Sequence, residues 1–313
     1  MRVVVTGGAG FIGRRLVATL IRHRHDVVVL DRRVAADSDA SHLACELAEP
    51  NHTSRSFLRE ADSVIHLAGC PGVRDTGPDV ARRRWRDNVE ATEAVLGAVR
   101  DATPVLAFSS SSVYGGAQVT ADGTVRPCRE TDPLDPKGGY AASKAAMEQL
   151  CQDRSSRGSP TLVVRPFTVL GEGQRPDMAV SVWARQLAAG QALSVYGSLA
   201  RTRDLTDVAD VARLTEALLH AGATGTVNIG TGHPHTLHQI VCAIGRAVGK
   251  PPQVRVVPAE EYEVAHTCAD TSLLHRRVGS TPHTDVDCVI TRAVQSAGLG
   301  VGAVADPAEA VTG

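Results

Sequence analysis

Tyr140 and Lys144 stand four residues apart, and a serine run, Ser109 to Ser112, precedes them. At i and i+4 the two side chains share one helix face. An ammonium beside a phenol stabilises the phenolate and lowers its pKa, and a bound nicotinamide cation pushes the same way. Such a tyrosine serves near neutral pH as the base for a hydroxyl proton while hydride leaves the carbon. A neighbouring serine hydroxyl can hold the same oxygen. Near the amino terminus, Thr6-Gly7-Gly8-Ala9-Gly10-Phe11-Ile12-Gly13 follows the strand signal Val3-Val4-Val5 and opens onto a helix signal, Leu16 to Ile21. Gly7 permits a tight turn, Gly10 a close approach of pyrophosphate, and Gly13 a helix lying near the sheet. The helix start then offers N–H groups and a positive dipole end to phosphate. Asp31 follows the second strand at the distance expected of a carboxylate that accepts from ribose hydroxyls and repels a 2′-phosphate. NAD is therefore favoured over NADP. Arg32 and Arg33 are the neighbours that could tolerate the extra phosphate. A dinucleotide cradle with a base of this kind predicts redox chemistry on a hydroxyl.

The elements that position these residues alternate. Short apolar runs predict strands over residues 2–6, 26–30, 63–67, 104–109 and 161–165. Helical periods predict helices over 11–23, 57–60, 79–100 and 140–153. Apolar strands alternating with helices mean a parallel sheet covered on both faces, the doubly wound α/β (Rossmann) class. After Arg165 the rhythm changes. Residues 171–177 are loop chemistry. A helix over 179–188, a strand pair around Val195 and Asp204, a helix over 207–221, a strand over 226–229 and a helix over 237–248 follow. The expected division is a dinucleotide-binding domain over 1–166, with elements near 205–250 returning to it, and a smaller α/β substrate lobe over 167–302 above the carboxyl ends of the sheet. The small, weakly patterned residues from Ala303 onward are expected to fray.

Bulk properties exclude other classes. The 313 residues suit an ample core. The 33 basic and 34 acidic residues leave a formal charge of -1, so no global field attracts nucleic acid or an anionic membrane. The cluster Arg82-Arg83-Arg84 with Arg86 is diluted by Asp79, Asp87 and Glu90 and is read as a solvated helix face. The seven cysteines are scattered and contain no C-x-x-C, which predicts thiols in a reducing cytoplasm without a disulfide framework or metal site. No apolar run approaches the roughly 20 residues needed to span a bilayer. Met1-Arg2 leads straight into a strand signal, leaving no expected signal peptide.

In order along the chain, the glycine loop, His66-Leu67-Ala68-Gly69, Asn88, the strand end Phe108 to Gly115, Tyr140 with Lys144, Arg203-Asp204-Leu205 with Asp207 and Asp210, Asn228-Ile229-Gly230-Thr231-Gly232 and Ala269-Asp270 resemble the extended short-chain dehydrogenase/reductases. Within these, the chain is similar to NAD-dependent nucleotide-sugar epimerases and dehydratases. The resemblance implies Ser110, Tyr140 and Lys144 as the catalytic set. It implies a cofactor lining of Gly7, Gly10, Phe11, Ile12, Gly13, Asp31, Arg32, Glu46, Leu47, Leu67, Ala68, Gly69, Asn88 and Ser109. It also implies a homodimer joined through the helices that hold Asn88 and Tyr140.

The serine run separates branches of the family. Dehydratases that resemble this chain carry an Asp-Glu pair after the residue matching Ser110, and decarboxylating members a Glu at the second of those places. Here Ser111 and Ser112 stand instead, which leaves oxidation at C4 and return of hydride, an epimerisation. The stretch Arg165 to Met178, and the run Ala68-Gly69-Cys70-Pro71-Gly72-Val73-Arg74, look like UDP-glucuronate 4-epimerases, in which residues matching Thr168 and Arg175 serve the sugar carboxylate. A 4-keto uronic acid is a β-keto acid and loses carbon dioxide when its carboxylate rotates. Bonds from Arg175, Ser111, Ser112 and Thr168 could hold it. Arg74 and Arg203 are further expected substrate contacts. The alternatives are a C4 epimerase for neutral sugars such as UDP-glucose, a 4-ketoreductase of a secondary-metabolite sugar pathway, and an NAD-binding scaffold without activity. The chain departs from the family at Pro166 and Leu170, where aromatic residues are usual. A diphosphate-clamping arginine near Ala265 is missing, and a protonated His266 could substitute in part.

Overall fold

The computed structural model describes residues 1–34, 39–72, 77–260 and 262–300. The first half runs β1 (Arg2–Thr6), α1 (Phe11–Arg22), β2 (Asp26–Asp31), β3 (Ser41–Ala44), α2 (His52–Glu60), β4 (Ser63–His66), α3 (Val80–Trp85), a π turn over Arg86–Glu90, α4 (Ala91–Ala98), β5 (Val105–Phe108), a single 3-10 turn over Ser111–Tyr114, α5 (Gly138–Ser156) and β6 (Thr161–Pro166). It continues with β7 (Val169–Leu170), α6 (Ala179–Ala188), β8 (Leu193–Tyr196), β9 (Thr202–Asp204), β10 (Thr206–Asp207), α7 (Val208–His220), β11 (Gly225–Ile229), β12 (Pro234–Thr236), α8 (Leu237–Val248), β13 (Val254–Val257), α9 (Ser272–Val278) and α10 (Val286–Ser296).

Seven strands form one parallel sheet in the order β11-β6-β5-β4-β1-β2-β3. The pleat explains why the centre of β1, Val3 to Val5, is apolar on both faces. Val3 and Val5 face Leu16 and Leu20 of α1 and Leu214 of α7. Val4 faces the other way, to Leu58 of α2 and Val95 of α4. The order reverses between β1 and β4, so the loops leaving those two strands open a crevice at their carboxyl ends. A separate apolar cluster packs α6, α8 and α10 around Leu193 and Val195 of β8, with Trp183 at its centre donating to the Ser194 carbonyl at 2.9 Å.

Several expectations are corrected. The helix expected over 57–60 begins at His52, because Asn51 caps it by accepting from the Ser54 N–H at 2.9 Å. The continuous helix expected over 79–100 is α3, a π turn and α4, and it stops at Ala98 where Val99 turns extended. The strands around Val195 and Asp204 do not pair with each other: β8 pairs with β13 and β9 with β12. Strand β3 and helices α9 and α10 carry too little pattern to have been expected. The residues from Ala303 onward lie outside those described. Among the described residues, no helix is long and apolar enough to cross a membrane.

Candidate active site

The glycine loop leaves β1 at Gly7, whose φ of +72° suits glycine and whose N–H donates to Leu30 O at 2.9 Å. A Cβ at Gly7 would lie 2.5 Å from Ala68 N, so the β1 and β4 loops nearly touch. Gly13 sits against Gly7 O and Gly8, which brings α1 down onto its own loop. Gly10 caps α1 with no side-chain acceptor, and the first turn holds no acid. The N–H groups of Phe11 and Ile12 are thus placed for an anion, while both side chains pack on the core. Asp31, at the end of β2, accepts from Ala9 N–H at 3.1 Å and Arg33 N–H at 3.0 Å and retains lone pairs for hydroxyl donors. This cradle fits a dinucleotide. Arg32 does not reach toward the loop. It pairs with Glu46 and Asp87, and Leu47 beside Glu46 is buried.

Beneath the crevice, Gly69, Asn88 and Lys144 converge. A Cβ at Gly69 would meet Asn88 Oδ1 at 2.4 Å and Lys144 Nζ at 3.5 Å. Asn88 is fully buried in the π turn. Its Oδ1 accepts from Cys70 N–H at 2.8 Å, and its Nδ2 donates to Cys70 O at 3.1 Å and Ser143 Oγ at 2.9 Å. It therefore ties the loop after β4, with Leu67 and Ala68, to helix α5. Lys144 Nζ donates to Phe108 O at 2.8 Å, and burial lowers its pKa to about 8. The Ser109 hydroxyl is buried and, among the described residues, has no partner.

Tyr140 opens α5 one turn before Lys144. Burial pushes its hydroxyl above the ordinary phenol range; the Ser110 hydroxyl, then the charges of Arg175 and Arg84, act against burial, and Cys70 adds to it. The charges of Arg175 and Arg84 act on the phenol, and the Lys144 ammonium is turned to the Phe108 carbonyl. Spacing of i and i+4 fixes a shared face but not the direction of a four-carbon chain. Arg84 departs from the reading of its cluster as a solvated face, while Arg82 and Arg83 are exposed as expected. Arg84 is 7% exposed and donates to Gly72 O at 2.5 Å. Ser110 accepts from Ser112 N–H at 3.1 Å, which fixes the turn that presents Ser111 and Ser112.

Arg175 lies in the loop before α6 and pairs with Asp177, Nε to Oδ1 at 2.9 Å and Nη2 to Oδ2 at 3.1 Å. Thr168 and Arg203 line a neighbouring cavity with Trp183, Tyr196, Ile240 and Glu263. Glu263, 3.8 Å from Arg203, was not singled out in the sequence. Its only signal there is a carboxylate shortly before Ala269-Asp270. Arg203 donates to the carbonyls of Thr202 (2.8 Å), Val264 (2.9 Å) and Ala265 (3.1 Å), so the segment lacking the expected arginine is where Arg203 anchors. The surroundings of His266 disfavour its protonated form. Burial and the charges of Arg203 and Arg201 hold it below the usual histidine range. Arg74 lies outside the described residues.

A family model described as the NAD dependent epimerase/dehydratase family matches residues 3–230. The uncharacterized UDP-glucose epimerase YtcB of Bacillus subtilis (strain 168) is 30% identical over 313 residues, covering 94% of this chain and 97% of that protein. The structure of MoeE5 in complex with UDP-glucuronic acid and NAD superposes with a TM-score of 0.85 at 31% identity, over 95% of this chain and 99% of that one. The UDP-glucuronic acid 4-epimerase from Bacillus cereus, in complex with UDP-glucuronic acid and NAD, gives a TM-score of 0.86 at 25% identity, over 95% and 98%. With most of the chain under the family model and the fold superposing almost end to end, the protein belongs to the NAD-dependent epimerase/dehydratase family and is an enzyme whose cofactor is NAD.

Proposed function

We propose that this protein is a nucleotide-sugar C4 epimerase and that its substrate is UDP-glucuronate. One observation carries the reading. The charge of Arg175 acts on the Tyr140 hydroxyl, which handles the substrate proton, and no carboxylate follows Ser110 to drive elimination. A carboxylate on the sugar could take charge-assisted bonds from Arg175, with hydroxyls from Ser111, Ser112 and Thr168.

Tyr140, whose hydroxyl the Ser110 bond and then the charges of Arg175 and Arg84 draw down against burial, and on which a bound nicotinamide cation would act the same way, takes the C4 hydroxyl proton as the C4–H bond breaks with its electron pair. Ser110 holds the same oxygen in line. Lys144, anchored at Phe108 O beside Gly69, would hold the nicotinamide ribose and keeps a positive charge under the crevice. Gly7, Gly10 and the start of α1 would hold the pyrophosphate, and Asp31 the adenosine ribose. NAD, when bound, supplies the acceptor of that hydride and the donor that returns it. The keto sugar turns between the two transfers, and Tyr140 gives its proton back to the new alcohol. The net reaction consumes no cofactor.

Incubation with UDP-glucuronate and no added NAD is expected to yield the C4 epimer, followed by proton NMR. Stoichiometric consumption of added NAD would mean net oxidation and end the reading. A second reading, a C4 epimerase for a neutral sugar such as UDP-glucose, is favoured by the Arg175–Asp177 pair, which already matches the guanidinium charge. Arg175→Ala separates the two. It should raise KM for UDP-glucuronate about 10- to 100-fold and leave UDP-glucose nearly untouched if the carboxylate is the ligand; equal effects on both would favour the neutral sugar.

A further inference from the structure

Arg32 follows Asp31 at the place where an arginine commonly accommodates the 2′-phosphate of NADP. Its guanidinium is instead held on two edges. Nε and Nη2 donate to Glu46 at 2.9 Å each. Nη1 and Nη2 donate to Asp87 at 2.9 and 2.5 Å. Four of its N–H groups are engaged, out of the five that a guanidinium carries. The carboxylates come from separate elements, Glu46 from the loop after β3 and Asp87 from the π turn. Asp87 is itself fixed, since Arg86 Nε donates to it at 2.9 Å and its side chain is only 9% exposed. The π turn makes this possible. It buries three consecutive residues, so Asp87 can face Arg32 while Asn88 faces Gly69 and Ser143. A clamped Arg32 offers an incoming phosphate one N–H in place of a fork, and that phosphate would meet Asp31, Glu46 and Asp87 together. The flat faces of the guanidinium are not covered by these in-plane bonds, which suits stacking against an aromatic base. The other basic neighbour, Arg33, is exposed, and its backbone N–H donates to Asp31.

We propose that Asp87 is a cofactor-specificity residue: from the π turn, with Glu46, it keeps Arg32 from meeting a 2′-phosphate and so selects NAD over NADP. The proposal rests on the dinucleotide site and is independent of the sugar. Its test needs no sugar. The proteins to compare are wild type, Asp87→Asn, Glu46→Gln and the double variant Asp87→Asn/Arg32→Met. NAD and NADP are released by heat from each purified holoenzyme and quantified, and NADP is then titrated as a competitor for bound NAD. Asp87→Asn should raise the NADP-to-NAD ratio about ten-fold, the scale of one charge-assisted phosphate contact. Glu46→Gln, at a more exposed position, should move it the same way. The double variant should return to the wild-type ratio, because the gain runs through Arg32. An unchanged ratio in both single variants overturns the proposal. So does an equal rise in the double variant, which would mean that Asp87 acts as bare negative charge.

Discussion

Acidifying the protein from pH 7 to pH 5 is expected to remove about 2 kcal/mol of stability through one imidazole, that of His66. His66 ends β4 beneath the crevice and is 1% exposed. Its Nδ1 lies 2.7 Å from Thr6 Oγ1 and its Nε2 2.9 Å from Thr92 Oγ1. The Thr92 hydroxyl donates to Asn88 O at 2.7 Å, so it accepts from Nε2–H, and Nδ1 accepts from Thr6. This chain of bonds joins β1, β4 and the π turn with a neutral ring. Burial, and next the charge of Lys144, lower the His66 pKa to about 3. An unfolded histidine titrates near 6.5, so the unfolded chain takes up a proton that the folded one refuses. The contribution is therefore complete above about pH 6.5 and is lost as pH falls toward about 3. Each pH unit inside that window costs about 1.4 kcal/mol, and the part between pH 7 and 5 integrates to about 2 kcal/mol. Carboxylates titrate mainly below this range. His266 is also held below the histidine range and has the same sign, so the quantity to read is the difference between wild type and His66→Gln. Urea unfolding of the holoenzyme at pH 7, 6 and 5, followed by circular dichroism, supplies it. Parallel pH dependence in the two proteins would refute the reasoning.

Three further outcomes are expected. Glu148→Gln leaves the Arg165 guanidinium, 3% exposed and bonded to both carboxylate oxygens at 2.9 and 2.6 Å, without its counter-charge, and should cost about 3–5 kcal/mol in urea unfolding. A loss below about 1 kcal/mol would mean that this pair does not hold α5 to β6. In Gly13→Ala the new Cβ would stand 2.3 Å from Gly7 O and 2.7 Å from Gly8 Cα, so α1 must lift from its loop. Purified Gly13→Ala should carry little NAD, and a normal content by ultraviolet absorbance would show that the loop tolerates the shift. Tyr140→Phe should cut turnover by about 10²–10⁴-fold with NAD content unchanged; near-normal rates would take the phenol out of the mechanism.

The sheet was legible because β1, β2, β4, β5 and β6 are buried on both faces and read as unbroken apolar runs. Strand β3, Ser41-His42-Leu43-Ala44, is a short edge strand only partly buried, and its pattern is correspondingly faint. The π turn was hidden for a different reason. One extra residue per turn leaves composition unchanged, and the apolar period runs on through Val89, Ala91 and Val95. Charge was the least legible property. Arg82, Arg83 and Arg84 are adjacent and alike in sequence, yet the Arg82 side chain is 80% exposed and Arg84 is buried at Gly72 O. Arg32 reads as a phosphate ligand until the fold brings Asp87 to it from 55 residues away.

These failures share a cause that bears on substrate choice. Glycine turns and strand ends are set by backbone sterics and lie in the local sequence, so the cradle at Gly7 to Gly13 and the placement of Ser110 after β5 follow from short stretches. The worth of a charged side chain depends on the counter-charges the fold supplies. At Arg32 the two carboxylates are remote. At Arg175 the partner, Asp177, is two residues away, in a loop whose conformation no helical or strand period specifies. The same arginine can thus present a charge to a uronate or spend it on its neighbour. Whether the Arg175–Asp177 pair opens when a sugar carboxylate enters decides between the two substrate classes, because a fork held by one carboxylate must exchange it to grip another.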